Sequence, residues 1–209
     1  LEEKKLYKCL KKLLRPNKQY NMIDVGANIG SVSLSLASIF KNSNVLAFEP
    51  SFYAFKKLKK NLNLNSRLEK RIKLFNSSIS NSKKIKNSSY SSWKLDFNKN
   101  SHPVHKGILK EASKKTVSLN SIMKKVKKVD FIKIDTDGHE YSVLLSGITE
   151  IKKHKPIIHI EFAPYLHEEN GFSTERLIKL IEMDLNYKFY SEDLISIKNV
   201  SNYVKKIGK

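Results

Sequence analysis

The stretch "MIDVGANIGSVSLSLAS", Met22 to Ser38, runs from a short apolar strand through a glycine turn into a helix. Val32, Leu36, Ile39 and Phe40 continue beyond the turn at the spacing of one helical face. A strand feeding a helix through such a turn is the opening unit of a parallel α/β sheet, and the residues of the turn select the ligand.

A P-loop needs G-x-x-x-x-G-K-[ST], with lysine on the phosphates and a hydroxyl on magnesium. Here Gly26 and Gly30 stand four residues apart and Ser31 follows with no lysine. A dinucleotide turn needs a glycine where Asn28 stands, so that the pyrophosphate can approach the backbone. The surviving pattern is D-x-G-x-N-x-G, Asp24 to Gly30. It suits S-adenosylmethionine, whose sulfonium and ammonium groups favour a strand-end carboxylate such as Asp24. Gly26 would permit the turn and a close backbone approach, and Gly30 would start the helix tightly against the ligand. The next strand, "NVLAFEP", ends in Glu49, an acid placed to accept hydrogen bonds from two ribose hydroxyls.

The alternation continues outward. Leu6, Leu10, Leu13 and Leu14 mark a helix over residues 1–16, stopped by Arg15-Pro16-Asn17, and residues 17–209 read as a single domain. Ser51 is placed to cap a helix carrying Phe52, Phe55, Leu58 and Leu62. "RIKLFNSSIS" reads as a third strand, "VDFIKID" as a fourth and "KPIIHIEF" as a fifth. Tyr141, Leu144, Leu145 and Ile148 mark the helix between the last two, and another helix begins near Ser173. "NYKFYSEDLISIKNV" reads as closing strand material. Residues 80–115 break the rhythm as a polar insertion or irregular hairpin. The fold class is α/β, a mostly parallel sheet with helices on both faces.

Length and 40% hydrophobic content fit one core in 209 residues. The single cysteine, Cys9, excludes a disulfide framework or a thiolate metal cluster. No apolar run approaches the roughly 18 residues of a membrane span. Leu1 opens the chain without an apolar signal segment, and the expectation is a cytoplasmic protein, with a removed upstream segment left open. The net charge of +20 invites an anionic partner, a glycan, a lipid surface or RNA. Only four of the 40 basic residues are Arg, which weakens the reading as a nucleic-acid binder.

"DVGANIGSVSLSLA", "VLAFEPSFYAFKKLKKNLNLN", "VDFIKIDTDGHEYSVLLSG" and "PIIHIEF" together resemble the FkbM-type methyltransferases, a branch of the Rossmann-like class I methyltransferase fold. The resemblance runs from about Met22 to Phe162. It implies a seven-stranded sheet and O-methylation from S-adenosylmethionine, commonly of a saccharide or glycolipid hydroxyl. It also implies that Asp24, Gly26, Ala27, Asn28, Gly30 and Ser31 line the methionine end of the donor. Glu49, with Pro50 and Ser51, would hold the ribose, and Ser78 and Ile79 would flank the adenine. Asp137 stands where the family usually has Glu, and Asn120 where an Asp is common.

The fourth strand ends in "KIDTDGHEY" and the fifth in Glu161. An Asn/Asp-Pro-Pro-aromatic motif, typical of methylation at nitrogen, is missing there, which favours an oxygen acceptor. Asp135 is the first candidate to touch donor or acceptor and to serve as base, with His139 and Glu161 as further catalytic candidates. Each has a structural alternative: Asp135 as a turn cap, His139 as an exposed first-turn residue, Glu161 as the partner of a lysine. Glu140 is equally well explained by the helix dipole. Asp135, Asp137, His139 and Glu161 are chemically suited to a divalent cation, but nothing fixes their convergence and no metal is assigned. Trp93, His102 and His105 are candidates to shape an acceptor pocket or to anchor the insertion. The rival functions are RNA 2′-O-methylation, for which Lys133 before Asp135 is a fragment of a Lys-Asp-Lys-Glu tetrad, and an NAD-binding oxidoreductase, against which Asn28 stands.

Overall fold

A computed structural model describes residues 2–81, 88–91 and 108–207. Helix α1 (Glu2–Leu13) precedes β1 (Asn21–Val25), α2 (Ser31–Ile39), β2 (Asn44–Phe48), α3 (Phe52–Asn63), a 3-10 segment (Ser66–Arg71) and β3 (Ile72–Phe75). The short strands β4 (Ser78–Ile79), β5 (Ser88–Ser91), β6 (Ile108–Glu111) and β7 (Thr116–Val117) follow. Then come α4 (Leu119–Met123), β8 (Phe131–Ile134), α5 (Glu140–His154), β9 (Ile157–Ile160), α6 (Pro164–Glu169), α7 (Thr174–Lys179), a π segment (Leu180–Asp184) and α8 (Val200–Ile207).

The main sheet has the order β3-β2-β1-β8-β9, and all its pairings are parallel. The chain winds outward from β1 to β3, then returns to the other side of β1 as β8 and β9. The order therefore reverses between β1 and β8, and in open α/β sheets the ligand crevice lies at the carboxyl ends of the strands flanking such a point. Strand alternation assigns the faces. Met22, Val45, Ala47 and Phe131 join Leu6 and Leu10 of α1, Leu14 just beyond it, Leu36 of α2 and Leu58 of α3 in one apolar cluster. Ile23, Val25, Phe48, Ile132 and Ile134 join Leu119, Met123, Leu144 and Leu177 in the other. Helices thus cover both faces, as the apolar strands require.

The expected seven strands are five in this sheet. The stretch taken as closing strands makes only an isolated Tyr190–Ser196 bridge and the start of α8. Asn186 and Leu194 adopt positive φ there, and Tyr190 and Ile195 are exposed, so the chain bends where a ladder would have to run straight. "RIKLFNSSIS" is likewise two strands. Its tip, β4, leaves the sheet to pair with β7. Leu13, grouped with the apolar face of the first helix, is exposed, while Leu6, Leu10 and Leu14 are buried. Helix α6 had no sequence signal beyond Pro164 at its first turn. Within the insertion, β5 and β6 pair antiparallel. Trp93, His102 and His105 lie outside the described residues.

Candidate active site

Gly26, at φ +77, turns the chain off β1. The N–H groups of Gly26 and Ala27 both donate to the carbonyl of Phe48, which ties the turn to β2. A Cβ on Gly26 would stand 1.8 Å from the Asp135 carbonyl oxygen, so the glycine is needed for contact with β8. Gly30, at φ +93, has Leu58 of α3 against it, where a Cβ would come within 2.3 Å. Both glycines were expected to make room for a ligand; the neighbours that forbid a side chain are the protein's own.

Glu49 is buried at 6% exposure, one residue beyond β2. Its Oε2 accepts from the Asn28 N–H at 2.8 Å and its Oε1 from the Ser51 N–H at 2.7 Å. Burial pushes its carboxyl up to about 7, against the downward pull of those two N–H groups and of Lys133. Asn28 is held at φ 48, and among the described residues its buried Oδ1 has no hydrogen-bond partner. An orphaned acceptor beside an acid already fixed by backbone is what a donor with N–H or O–H groups would complete. This part of the crevice fits S-adenosylmethionine. Ser51 is buried and caps α3, as its position predicts, and the Pro50 carbonyl accepts from the Ser113 N–H. Ser31 is exposed and its hydroxyl donates to Glu3 of α1. Ser78 is half-buried, but Ile79 is directed into the apolar cluster at 5% exposure. The adenine-flanking role expected of the Ile79 side chain is therefore not its arrangement.

Asp24 requires the largest correction. It is fully buried inside β1, not at its tip. Its Oδ2 accepts from the Ser33 hydroxyl at 2.5 Å, and its Oδ1 lies 3.5 Å from Lys133 Nζ. Its charge is spent on Lys133 beneath the turn. Sequence reasoning gave Lys133 a role only in the rival RNA-methylating reading. At 5% exposure it pairs with Asp135 Oδ2 at 2.9 Å and donates to the Gly26 carbonyl at 2.9 Å. Burial works against its charge, but Asp24 and Asp135 overcome this and raise its pKa above that of an ordinary lysine.

Register brings the remaining acids together. Lys133 pairs with His159 and Ile134 with Ile160, so Asp135 and Glu161 follow side by side on the face that holds Asp24 and Lys133. The Glu161 N–H donates to the Ile134 carbonyl at 3.0 Å, which holds the two acids at neighbouring strand ends, where each carboxyl acts on the other. Burial favours the neutral form of Asp135, but Lys133 outweighs it and holds this carboxyl below its usual range. Glu161 is pushed up to about 9, by desolvation at the crevice wall and then by the neighbouring Asp135 carboxyl. Lys133 thus takes Asp135, and among the described residues Glu161 forms no ion pair with a lysine.

Glu140 is a clamp. Its Oε1 accepts from the Thr136 N–H and hydroxyl, both at 2.8 Å, and from the Gly138 N–H at 3.3 Å. Its Oε2 lies 3.1 Å from His167 Nε2, and His167 Nδ1 lies 2.9 Å from the Thr174 hydroxyl. All three side chains belong to buried residues, and they lock the β8–α5 loop to α6 and α7. Asp137, at φ 49, sits in that loop. His139 is exposed and stands at the N-cap of α5. Asn120 joins α4 to α5 by accepting from the Glu150 N–H, a structural task. Among the described residues no three His, Cys, Asp or Glu side chains converge as a metal site, and no helix is long and apolar enough to cross a membrane.

No curated protein matches the chain. Among solved structures it is similar to methyltransferase FkbM from Methylobacillus flagellatus, with 22% identity and TM-score 0.54 over 84% of this chain and 39% of that one. The precorrin 8W decarboxylase of Methanobacterium thermoautotrophicum aligns at 17% identity and TM-score 0.48, over 86% and 71% of the two chains. Precorrin-6y C5,15-methyltransferase from Geobacter metallireducens aligns at 13% and 0.46, over 85% and 65%. The chain thus spans well under half the length of the first of these. The methyltransferase FkbM domain matches residues 24–189, which takes in every strand of the main sheet except the first three residues of β1. This chain belongs to the FkbM methyltransferase family.

Proposed function

We propose that the protein transfers a methyl group from S-adenosylmethionine to a hydroxyl, on a saccharide or glycolipid. The observation that carries this reading is the carboxyl pair Asp135–Glu161, set beside the donor turn at the point where the strand order reverses. When bound, the donor supplies a methyl carbon made electrophilic by its sulfonium. Glu49 would accept from the ribose hydroxyls with the lone pairs its two backbone N–H groups leave free, and Asn28 Oδ1 would take a further donor hydrogen. Asp135, kept ionised by Lys133, would face the cationic centre, and Glu161 would take the acceptor's proton. The acceptor oxygen bonds to the methyl carbon as the carbon–sulfur bond breaks and its electron pair stays on sulfur.

A saccharide is supported by Tyr165. It is 39% exposed on α6 and feels the charges of Glu161 and Asp137. An exposed aromatic face beside carboxylates suits a ring that is apolar on one side and rimmed with hydroxyls. The test has two stages. Thermal shift should show stabilisation by S-adenosylhomocysteine and none by NADH. Radiolabelled methyl from S-adenosylmethionine should then pass to members of a saccharide panel. Labelling of RNA with no saccharide labelled would replace the acceptor class, and stabilisation by NADH alone would remove the donor.

A further inference from the structure

Register sets Asp135 and Glu161 side by side at the ends of β8 and β9, and two neighbouring carboxylates repel each other when both are ionised, which favours one proton shared between them. Lys133 decides its place. It contacts Asp135 at 2.9 Å and leaves the proton on Glu161, which forms no ion pair with a lysine among the described residues. Glu161 is the group placed to deprotonate an acceptor, and in this state it is already occupied. The pair is open to the crevice: Glu161 is exposed and Asp135 half-exposed.

Resting on the donor assignment above, we propose that the Asp135–Glu161 pair gives up its shared proton when the cationic donor binds, and takes it back when the neutral thioether product replaces it. A positive charge in the crevice does for Glu161 what Lys133 does for Asp135. The base is free only while there is a methyl group to transfer. An acceptor that enters an empty site or a product-filled one meets a neutral acid that abstracts nothing.

The surroundings favour this response. Asp24 on β1 is committed to Lys133 and Ser33. Glu140 on α5 is committed to Thr136 and His167. His159, the neighbour on β9, lies 3.7 Å from Glu192, and burial lowers its pKa against the raising effect of that acid. The charges of Asp137 in the β8–α5 loop and of Glu140 on α5 add to that of Asp135 and favour the protonated form of Glu161 in the empty site, and Tyr165 on α6 feels the charge of Glu161 in turn. Glu49, just beyond β2, titrates near 7 and would also lose a proton to ribose contacts, but that contribution is common to donor and product.

The difference between the two ligands isolates the pair. Titration calorimetry at pH 7.5, in phosphate and in Tris, counts the protons released on binding S-adenosylmethionine and S-adenosylhomocysteine. Wild type should release roughly one proton more with the sulfonium ligand, and Glu161→Gln should show no such excess. Equal counts for the two ligands on wild type would overturn the inference while leaving the donor assignment in place. Failure of either ligand to bind would remove the donor assignment and the inference with it. A measurement on wild type alone covers the case in which the variant does not fold. Between pH 6 and 7.5 the preference for S-adenosylmethionine over S-adenosylhomocysteine should climb about tenfold per pH unit, and a flat ratio would overturn the coupling.

Discussion

The two halves of the crevice are built of different materials. At the tips of β1 and β2 the work is done by backbone: two N–H groups on Phe48, two more on Glu49, and a turn whose shape is set by Gly26 and Asn28. At the tips of β8 and β9 it is done by side chains, Lys133, Asp135 and Glu161, arranged by strand alternation. A backbone site is announced by glycines and a strand-end acid, and it has a fixed shape. A side-chain site can be read only once each residue has been given a face, and its charges move with what is bound. The first half is a socket; the second is a set of coupled titrations.

The strongest way to break the comparison is to remove the post that joins the halves. Lys133→Met leaves Asp24, which has no exposed surface, with only the Ser33 hydroxyl as a partner. Breaking one side of a buried ion pair costs about 3–5 kcal/mol. Chemical denaturation should show a loss of that size. The double variant Asp24→Asn/Lys133→Met buries no net charge and should recover most of it. No loss in the single variant would mean that the Asp24–Lys133 pair contributes nothing to stability.

Gly26→Ala tests the same joint from the backbone side. The left-handed conformation costs a non-glycine residue about 1–2 kcal/mol. The Asp135 carbonyl stands 1.8 Å from where the methyl would lie, so β1 and β8 must part. Overpacking adds about 1–3 kcal/mol. The thermal midpoint should fall, and S-adenosylhomocysteine affinity should fall with it, because the turn and Asn28 move together. A stable variant with unchanged affinity would uncouple the socket from β8.

What the sequence made legible follows the same division. The glycine turn, the strand ending in Glu49 and the Ser51 cap are local patterns, and local patterns survive the absence of coordinates. The partners of Gly26 and Gly30 do not, because Asp135 and Leu58 are distant in the chain. Asp24 was misplaced because a strand-end acid and a strand-interior acid look alike in one sequence. Its true position had a signal. Lys133 lies inside an apolar strand of a parallel sheet covered on both faces, where a lysine must be paired, and alternation puts Asp135 on its own face. The closing strands were misread for the opposite reason. Aromatic and β-branched residues in "NYKFYSEDLISIK" satisfy strand propensity, but positive φ at Asn186 and Leu194 shows that the backbone is used for turns.

Glu49→Ala is expected to weaken S-adenosylhomocysteine on the order of tenfold or more, through lost charged hydrogen bonds. The pH dependence sharpens this. Glu49 has a folded pKa of about 7, above its usual 4.5, so it binds its proton more tightly in the native state. Its contribution to stability is fully present below the lower value and is lost as pH rises through the higher one. Ligand binding runs the other way. Ribose hydroxyls prefer the ionised carboxylate, so affinity should improve up to tenfold per pH unit below about 7 and level off above it. In Glu49→Ala calorimetry should find that slope gone; a slope that persists would place the titrating group elsewhere.

Asp135→Asn should have the smallest effect on affinity, and its smallness discriminates between the two halves. If each carboxylate contributed independently, deleting one would cost much of the preference for a cationic ligand. In a coupled pair the deletion also removes the neighbour that keeps Glu161 protonated. Glu161 then ionises more readily, and the pair carries one negative charge before and after the substitution. The ratio of S-adenosylmethionine to S-adenosylhomocysteine affinity should therefore change by less than about threefold at pH 7.5, while the excess proton release falls toward zero. A large fall in the ratio with the proton release intact would mean that Asp135 and Glu161 act as separate charges. The β8–β9 half would then be as rigid a socket as the β1–β2 half.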